Sequence, residues 1–146
     1  MRVYVAAAMT NAGRDLATIR ALVDHLEARH HEVPSRHVAD PAGREPAAAI
    51  TDRELARRDL AWITGCDALI AEVSTPSHGV GIEVGAALAL GKPVLLLYRA
   101  GTIVSRLLLG LPRIEAAAYD RTDDIAGVVE SFLGKVEAGP AAVGAE

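Results

Sequence analysis

An α/β fold is predicted: a single-domain three-layer sandwich whose five-stranded, mostly parallel sheet lies between helices in the flavodoxin-like or Rossmann-like manner. Three observations lead there. Short apolar runs alternate with segments whose apolar residues recur at helical spacing, the order of strands and crossover helices. Two of those runs, residues 68–73 and 93–98, are apolar at nearly every position, as strands buried on both faces are. The chain has 146 residues, 51% of them apolar, the length and hydrophobic content of one domain.

Residues 2–7 form the first strand, and residues 11–29 then carry Leu16, Ile19, Leu22, Val23 and Leu26 at helical spacing. A second extended segment, 32–38, contains Pro34, which removes a ladder hydrogen bond and favours a sheet edge. Residues 39–50 read as a loop. Thr51-Asp52-Arg53-Glu54 has the form of a capping box and starts a helix that runs to about Gly65. A strand at 68–73, a loop through Ser77, a helix from about Gly79 to Leu90 and a strand at 93–98 follow. A short helix at 102–109, a last strand at 114–119 and a last helix at 123–136 complete the domain. The Asp-rich start of that last helix suits the helix dipole. The domain spans 1–137, and 138–146 read as a disordered tail.

Composition removes several function classes. The net charge is −4 and the arginines are scattered, so there is no basic stripe for polymeric nucleic acid, while a small anion remains possible. Cys66 is the single cysteine, which excludes an internal disulfide and a cysteine-based zinc cluster within one chain. The five histidines lack metal-ligand spacing, so no metal is expected. Arg2-Val3-Tyr4-Val5 does not resemble a signal peptide and no stretch reads as a membrane span, so a cytoplasmic protein without a membrane partner is expected. Neither a P-loop nor a Gly-x-Ser-x-Gly elbow is present.

Ligands of open parallel sheets bind beyond the carboxyl ends of the strands, so the loops near Ala7, His37, Ser74 and Arg99 are the places to look. Glu83, in Gly79-Val80-Gly81-Ile82-Glu83-Val84-Gly85, is the one charged residue of an otherwise uncharged helix. It is either a helix-start acid favoured by the dipole or a functional carboxylate, and Gly81 and Gly85 favour the second by leaving room for a ligand or another backbone. On the preceding helix Asp59 shares the apolar face of Leu55, Trp62, Ile63 and Cys66, where it must either pair with Arg57, Arg58 or another arginine or serve chemistry. Two carboxylates at one end of a sheet can divide glycosidic chemistry between nucleophile and general acid. The loop Ser74-Thr75-Pro76-Ser77-His78-Gly79 leads into a helix N-terminus, a seat for a phosphate or an ordinary capping turn.

These residues resemble the 2′-deoxynucleoside 5′-phosphate N-hydrolases, relatives of the nucleoside 2-deoxyribosyltransferases. Asp59-Leu60-Ala61-Trp62, Asp67-Ala68-Leu69-Ile70-Ala71-Glu72-Val73 and Pro76-Ser77-His78-Gly79-Val80-Gly81-Ile82-Glu83-Val84-Gly85 carry the resemblance without a gap. Tyr4, Arg36-His37-Val38-Ala39 and Ser105 with the apolar residues after it match in order. The resemblance implies a retaining double displacement with no cofactor. Glu83 attacks the anomeric carbon, Tyr4 orients Glu83, and Asp59 assists the departing base. It also implies substrate contacts from Ala7, Met9, Thr10, Asn11, His37, Ser77, Gly79 and Leu107, with Ser77 holding the 5′-phosphate, and a homodimer in which Ser105 is a phosphate ligand across the interface. Phosphate-requiring members have an arginine where this chain has Thr10, so Arg14 or Arg106 becomes the substitute to consider. Two other functions use the same fold: base exchange by a deoxyribosyltransferase, and nucleotide sensing without chemistry.

Overall fold

The structure, a computed structural model, describes residues 1–11, 13–42 and 49–139. Four parallel strands form the sheet: β1 (Val3–Ala7), β2 (Ala68–Glu72), β3 (Val94–Arg99) and β4 (Ile114–Tyr119), in the order β1-β2-β3-β4. The helices are α1 (Leu16–Ala28), α2 (Asp52–Gly65), α3 (His78–Ala89), α4 (Arg106–Leu109) and α5 (Ile125–Ala138). Strand residues alternate between two cores. Val3, Val5, Ala7, Leu95 and Leu97 pack with α1 and α5, whereas Tyr4, Ala6, Leu69 and Leu96 pack with α2 and α3.

The expected fifth strand does not form. Residues 32–38 begin as one, with the Arg2–Glu32 bridge and a 2.8 Å bond from the Val3 amide to the Glu32 carbonyl. Pro34 then has no N–H to offer, and the next pairing is made by a side chain. The Ser35 hydroxyl accepts the Val5 amide at 2.9 Å and donates to the Val5 carbonyl at 2.8 Å. Beyond it the chain turns into a 3-10 helix over Arg36–Ala39. The edge position was the right reading of Pro34, and the strand was not.

Helix ends follow local chemistry. Asp15 accepts the Thr18 amide at 3.1 Å, so α1 starts at Leu16, several residues later than its periodicity predicts. The capping box at α2 is present: Thr51 Oγ1 accepts the Glu54 amide at 3.2 Å and Glu54 Oε2 accepts the Thr51 amide at 2.9 Å. The helix expected at 102–109 is confined to α4, and a 3-10 turn over Thr122–Asp124 precedes α5. Much of the expected loop, 43–48, and of the expected tail, 140–146, lies outside the described residues. Among the described residues no helix is long and apolar enough to cross a membrane.

Candidate active site

The carboxyl end of β1, the 3-10 helix, the first half of α2 and the start of α3 enclose a cleft of about 400 Å³, lined by Ala7, Met9, Thr10, His37, Asp52, Leu55, Arg58, Asp59, Ser77, Gly79, Val80 and Glu83. Eight of the residues expected to make a site meet in it. Tyr4 lies beneath, buried against the α2–α3 layer by strand alternation, and its hydroxyl donates a 2.7 Å hydrogen bond to Glu83 Oε1.

Burial pushes the Glu83 carboxyl up to about 7, with a smaller upward contribution from the Asp59 charge. The Tyr4 hydrogen bond opposes this and favours the ionised form. Tyr4 itself is raised, by burial first and then by the Glu83 charge beside it, so it remains a neutral donor. Asp59 Oδ1 is 3.0 Å from Arg58 Nε. The guanidinium of Arg58 also lies 4.5 Å from the Trp62 ring centroid, and Trp62 meets His37 at 5.8 Å between centroids, tilted by 48°. The ion-pair and functional readings of Asp59 therefore coexist: the pair sits in the wall of the cleft.

Ser77 is the N-cap of α3, its Oγ 3.4 Å from the Val80 amide. As an acceptor there it keeps its hydroxyl proton for another group. Next to the cleft a second depression of about 460 Å³ is lined by Ala8, Thr10, Asn11, Pro76, Ser77, His78 and Gly79. Asn11 belongs to this depression, with its Oδ1 accepting the Gly13 amide at 2.9 Å. The two spaces share Thr10, Ser77 and Gly79, so one elongated ligand fits a carboxylate end and a polar, helix-N-terminal end.

Two expectations change. Arg14 does not face this polar end: its guanidinium donates to the carbonyls of Val38 at 3.2 Å and Asp40 at 2.5 Å, which anchors the loop before α1 to the 3-10 helix. Gly81 and Gly85 do not open a path to Glu83. They face the opposite side of α3, where a Cβ at either would meet nothing within 4 Å. Ser105 and Leu107 are absent from the Glu83 cleft of their own chain. With Arg106 and the two glycines they line a separate apolar groove of about 960 Å³, which touches the cleft through Ser77 and Val80.

Asp52, Leu55, Arg58 and Val80 line the cleft without having been assigned to it from the sequence. Helical spacing held the signal for two of them: Asp52, Leu55 and Asp59 fall at i, i+3 and i+7 on one face of α2. Among the described residues no group of three or more His, Cys, Asp or Glu side chains could hold a metal ion.

The sequence profile of the nucleoside 2-deoxyribosyltransferase family matches residues 3–126. A protein of Mus musculus named 5-hydroxymethyl-dUMP N-hydrolase is 40% identical over 114 residues, covering 74% of this chain and 64% of that protein. Its namesake in Rattus norvegicus is 35% identical over 137 residues, 90% of this chain and 81% of that protein. The structure of the CMP N-glycosidase BcmB of Clostridium botulinum superposes with a TM-score of 0.65 at 23% identity, over 89% of this chain and 99% of BcmB, and shows the same fold.

Proposed function

The chain belongs to the nucleoside 2-deoxyribosyltransferase family, and from that premise we propose that it hydrolyses the N-glycosidic bond of 2′-deoxynucleoside 5′-monophosphates to free base and 2-deoxyribose 5-phosphate. The observation that carries the reading is the half-buried Glu83 carboxylate, oriented by the Tyr4 hydroxyl and sharing one cleft with Asp59.

In the first step Glu83 attacks C1′, the bond to the base breaks, and Asp59 relays to the departing nitrogen a proton taken from solvent. A glycosyl ester on Glu83 results. In the second step water, deprotonated by Asp59, attacks C1′ and releases the sugar with net retention. The His37–Trp62 wall supports the base, and Ala7, Met9 and Thr10 line the sugar. Ser77, Gly79, Asn11 and the first amides of α3 receive the 5′-phosphate. With Arg14 bound elsewhere, Arg106 is the remaining substitute for the arginine that Thr10 replaces.

The active form in this reading is a homodimer. Ile82, Ile103 and Leu107 are 67%, 92% and 76% exposed along the groove, a large apolar surface for one chain. Gly81 and Gly85 let a neighbouring chain approach α3 closely. Seating a second copy there brings its Ser105 and Leu107 towards Ser77.

Product analysis tests the whole reading: the protein is incubated with each deoxynucleoside monophosphate, the dephosphorylated nucleoside and the ribonucleotide, with and without an acceptor base. Base release from the deoxynucleotide is expected. Base exchange in place of hydrolysis would make the protein a transferase, and binding without any product would make it a sensor.

A further inference from the structure

One buried acid has no part in this mechanism. Glu72, at the end of β2, is 2% exposed and aligns with Ala7 and Leu97, so its side chain points to the α1–α5 face, away from Glu83. Its Oε1 accepts the Tyr119 hydroxyl at 3.0 Å, the Ser74 amide at 3.2 Å and the Ser74 hydroxyl. Ser74 Oγ in turn accepts the Arg99 amide at 2.8 Å. Each hydroxyl has one proton, so the direction is set: Arg99 N–H to Ser74, Ser74 O–H to Glu72, Tyr119 O–H to Glu72. The Arg99 side chain pairs with Asp15, the α1 cap, and stands 5.3 Å from the Tyr119 ring centroid.

Burying a carboxylate carries a desolvation penalty even when it is well hydrogen-bonded, and an apolar side chain would serve stability at least as well. What the carboxylate does here is join two loops. Ser74 opens the loop that ends at Ser77 and α3, and Arg99 opens the loop that ends at Ser105. We propose that Glu72 is a positioning residue for the phosphate end of the substrate, holding through Ser74 the loop that presents Ser77 and the first α3 amides, and through Arg99 the start of the loop that carries Ser105. This rests on the phosphate-handling role given to Ser77 above and on Ser105 reaching it from a second copy.

The test compares wild type with Glu72→Ala, Glu72→Gln and Ser74→Ala, reading kcat and KM for a deoxynucleoside monophosphate together with the competitive inhibition constant of inorganic phosphate. Glu72→Ala is expected to raise KM and the phosphate constant about tenfold while kcat stays within about threefold. Glu72→Gln restores both, because its amide oxygen accepts the same donors. Ser74→Ala reproduces the loss and carries the test if Glu72→Ala does not fold. Unchanged KM and phosphate constants in the folded variants would overturn the proposal, as would a fall in kcat alone or wild-type turnover that phosphate does not inhibit. Should wild type bind phosphate by calorimetry yet release no base, the hydrolase reading fails and the calorimetric affinities of the same variants decide this one.

Discussion

Tyr4 and Glu83, 79 residues apart in sequence, are joined by a 2.7 Å hydrogen bond beneath the cleft. The bond opposes burial, which holds the Glu83 carboxyl at about 7. A nucleophile must be ionised, so kcat/KM, which follows the free enzyme, falls as the pH drops through about 7. In Tyr4→Phe the stabilising donor is gone, the carboxyl rises further, and the acidic limb of the kcat/KM profile moves to higher pH. The plateau falls about 10- to 100-fold. A profile unmoved in Tyr4→Phe would mean that Glu83 is not the group that titrates.

The same shift has a consequence for stability. The folded-state value of Glu83 lies above its ordinary unfolded value, so its contribution to stability is fully present below about pH 4.5 and is lost as the pH rises through about 7. Glu83→Gln removes that loss. It should gain about 2 to 3 kcal/mol over wild type at pH 8.5, a Tm increase of about 5 °C or more, and little at pH 4. Turnover should fall by ~10³-fold or more. Thermal melts at the two pH values check the first statement, and a variant that is active or no more stable at pH 8.5 contradicts the assignment.

Asp59 is predicted to matter in proportion to how poorly the base leaves. In Asp59→Asn, kcat should drop about 100-fold for ordinary bases and much less for a base that departs without protonation. Equal losses across a series of leaving groups would reduce Asp59 to an anchor for Arg58.

The fold was legible because apolar runs and helical periodicity report burial directly, and the capping box at Thr51 marked a helix start correctly. The missing strand was not legible in that way. Pro34 announced an edge, but only the position of the Ser35 hydroxyl against Val5 shows how a side chain satisfies what a strand would have. In the site, Glu83 stood out as a lone charge on an apolar helix and Asp59 as an acid on an apolar face. Which way a glycine faces depends on the rotation of its helix against the sheet, so Gly81 and Gly85 were assigned to the wrong side of α3. Arg14 was misread for a related reason: its partners, the carbonyls of Val38 and Asp40, come from a turn distant in sequence.

The groove beside α3 makes a prediction about assembly. Leu107 is 76% exposed, so Leu107→Asp leaves the fold of one chain intact but puts a charge into an apolar contact if a second copy seats there. Light scattering after size exclusion should show dimers for wild type and monomers for the variant, with activity lost alongside. A variant that stays dimeric, or one that works fully as a monomer, would detach the groove from function.

The last prediction concerns Thr10, which lines both the Glu83 cleft and the polar depression beside it. The position is exposed, so a longer side chain can be accommodated without displacing the core. Arg14 cannot swing in without releasing the carbonyls of Val38 and Asp40. Thr10→Arg therefore adds a cation at the edge of the polar depression, and a bidentate contact to a phosphate contributes about 1.5 to 3 kcal/mol. KM for a deoxynucleoside monophosphate should fall about tenfold or more, with kcat little changed. The dephosphorylated nucleoside supplies the control, because an arginine that merely tightens the loop would improve both substrates alike. A gain confined to the phosphorylated substrate, and weakened by added salt, assigns the polar depression to the 5′-phosphate, and equal changes for the two substrates place the phosphate elsewhere.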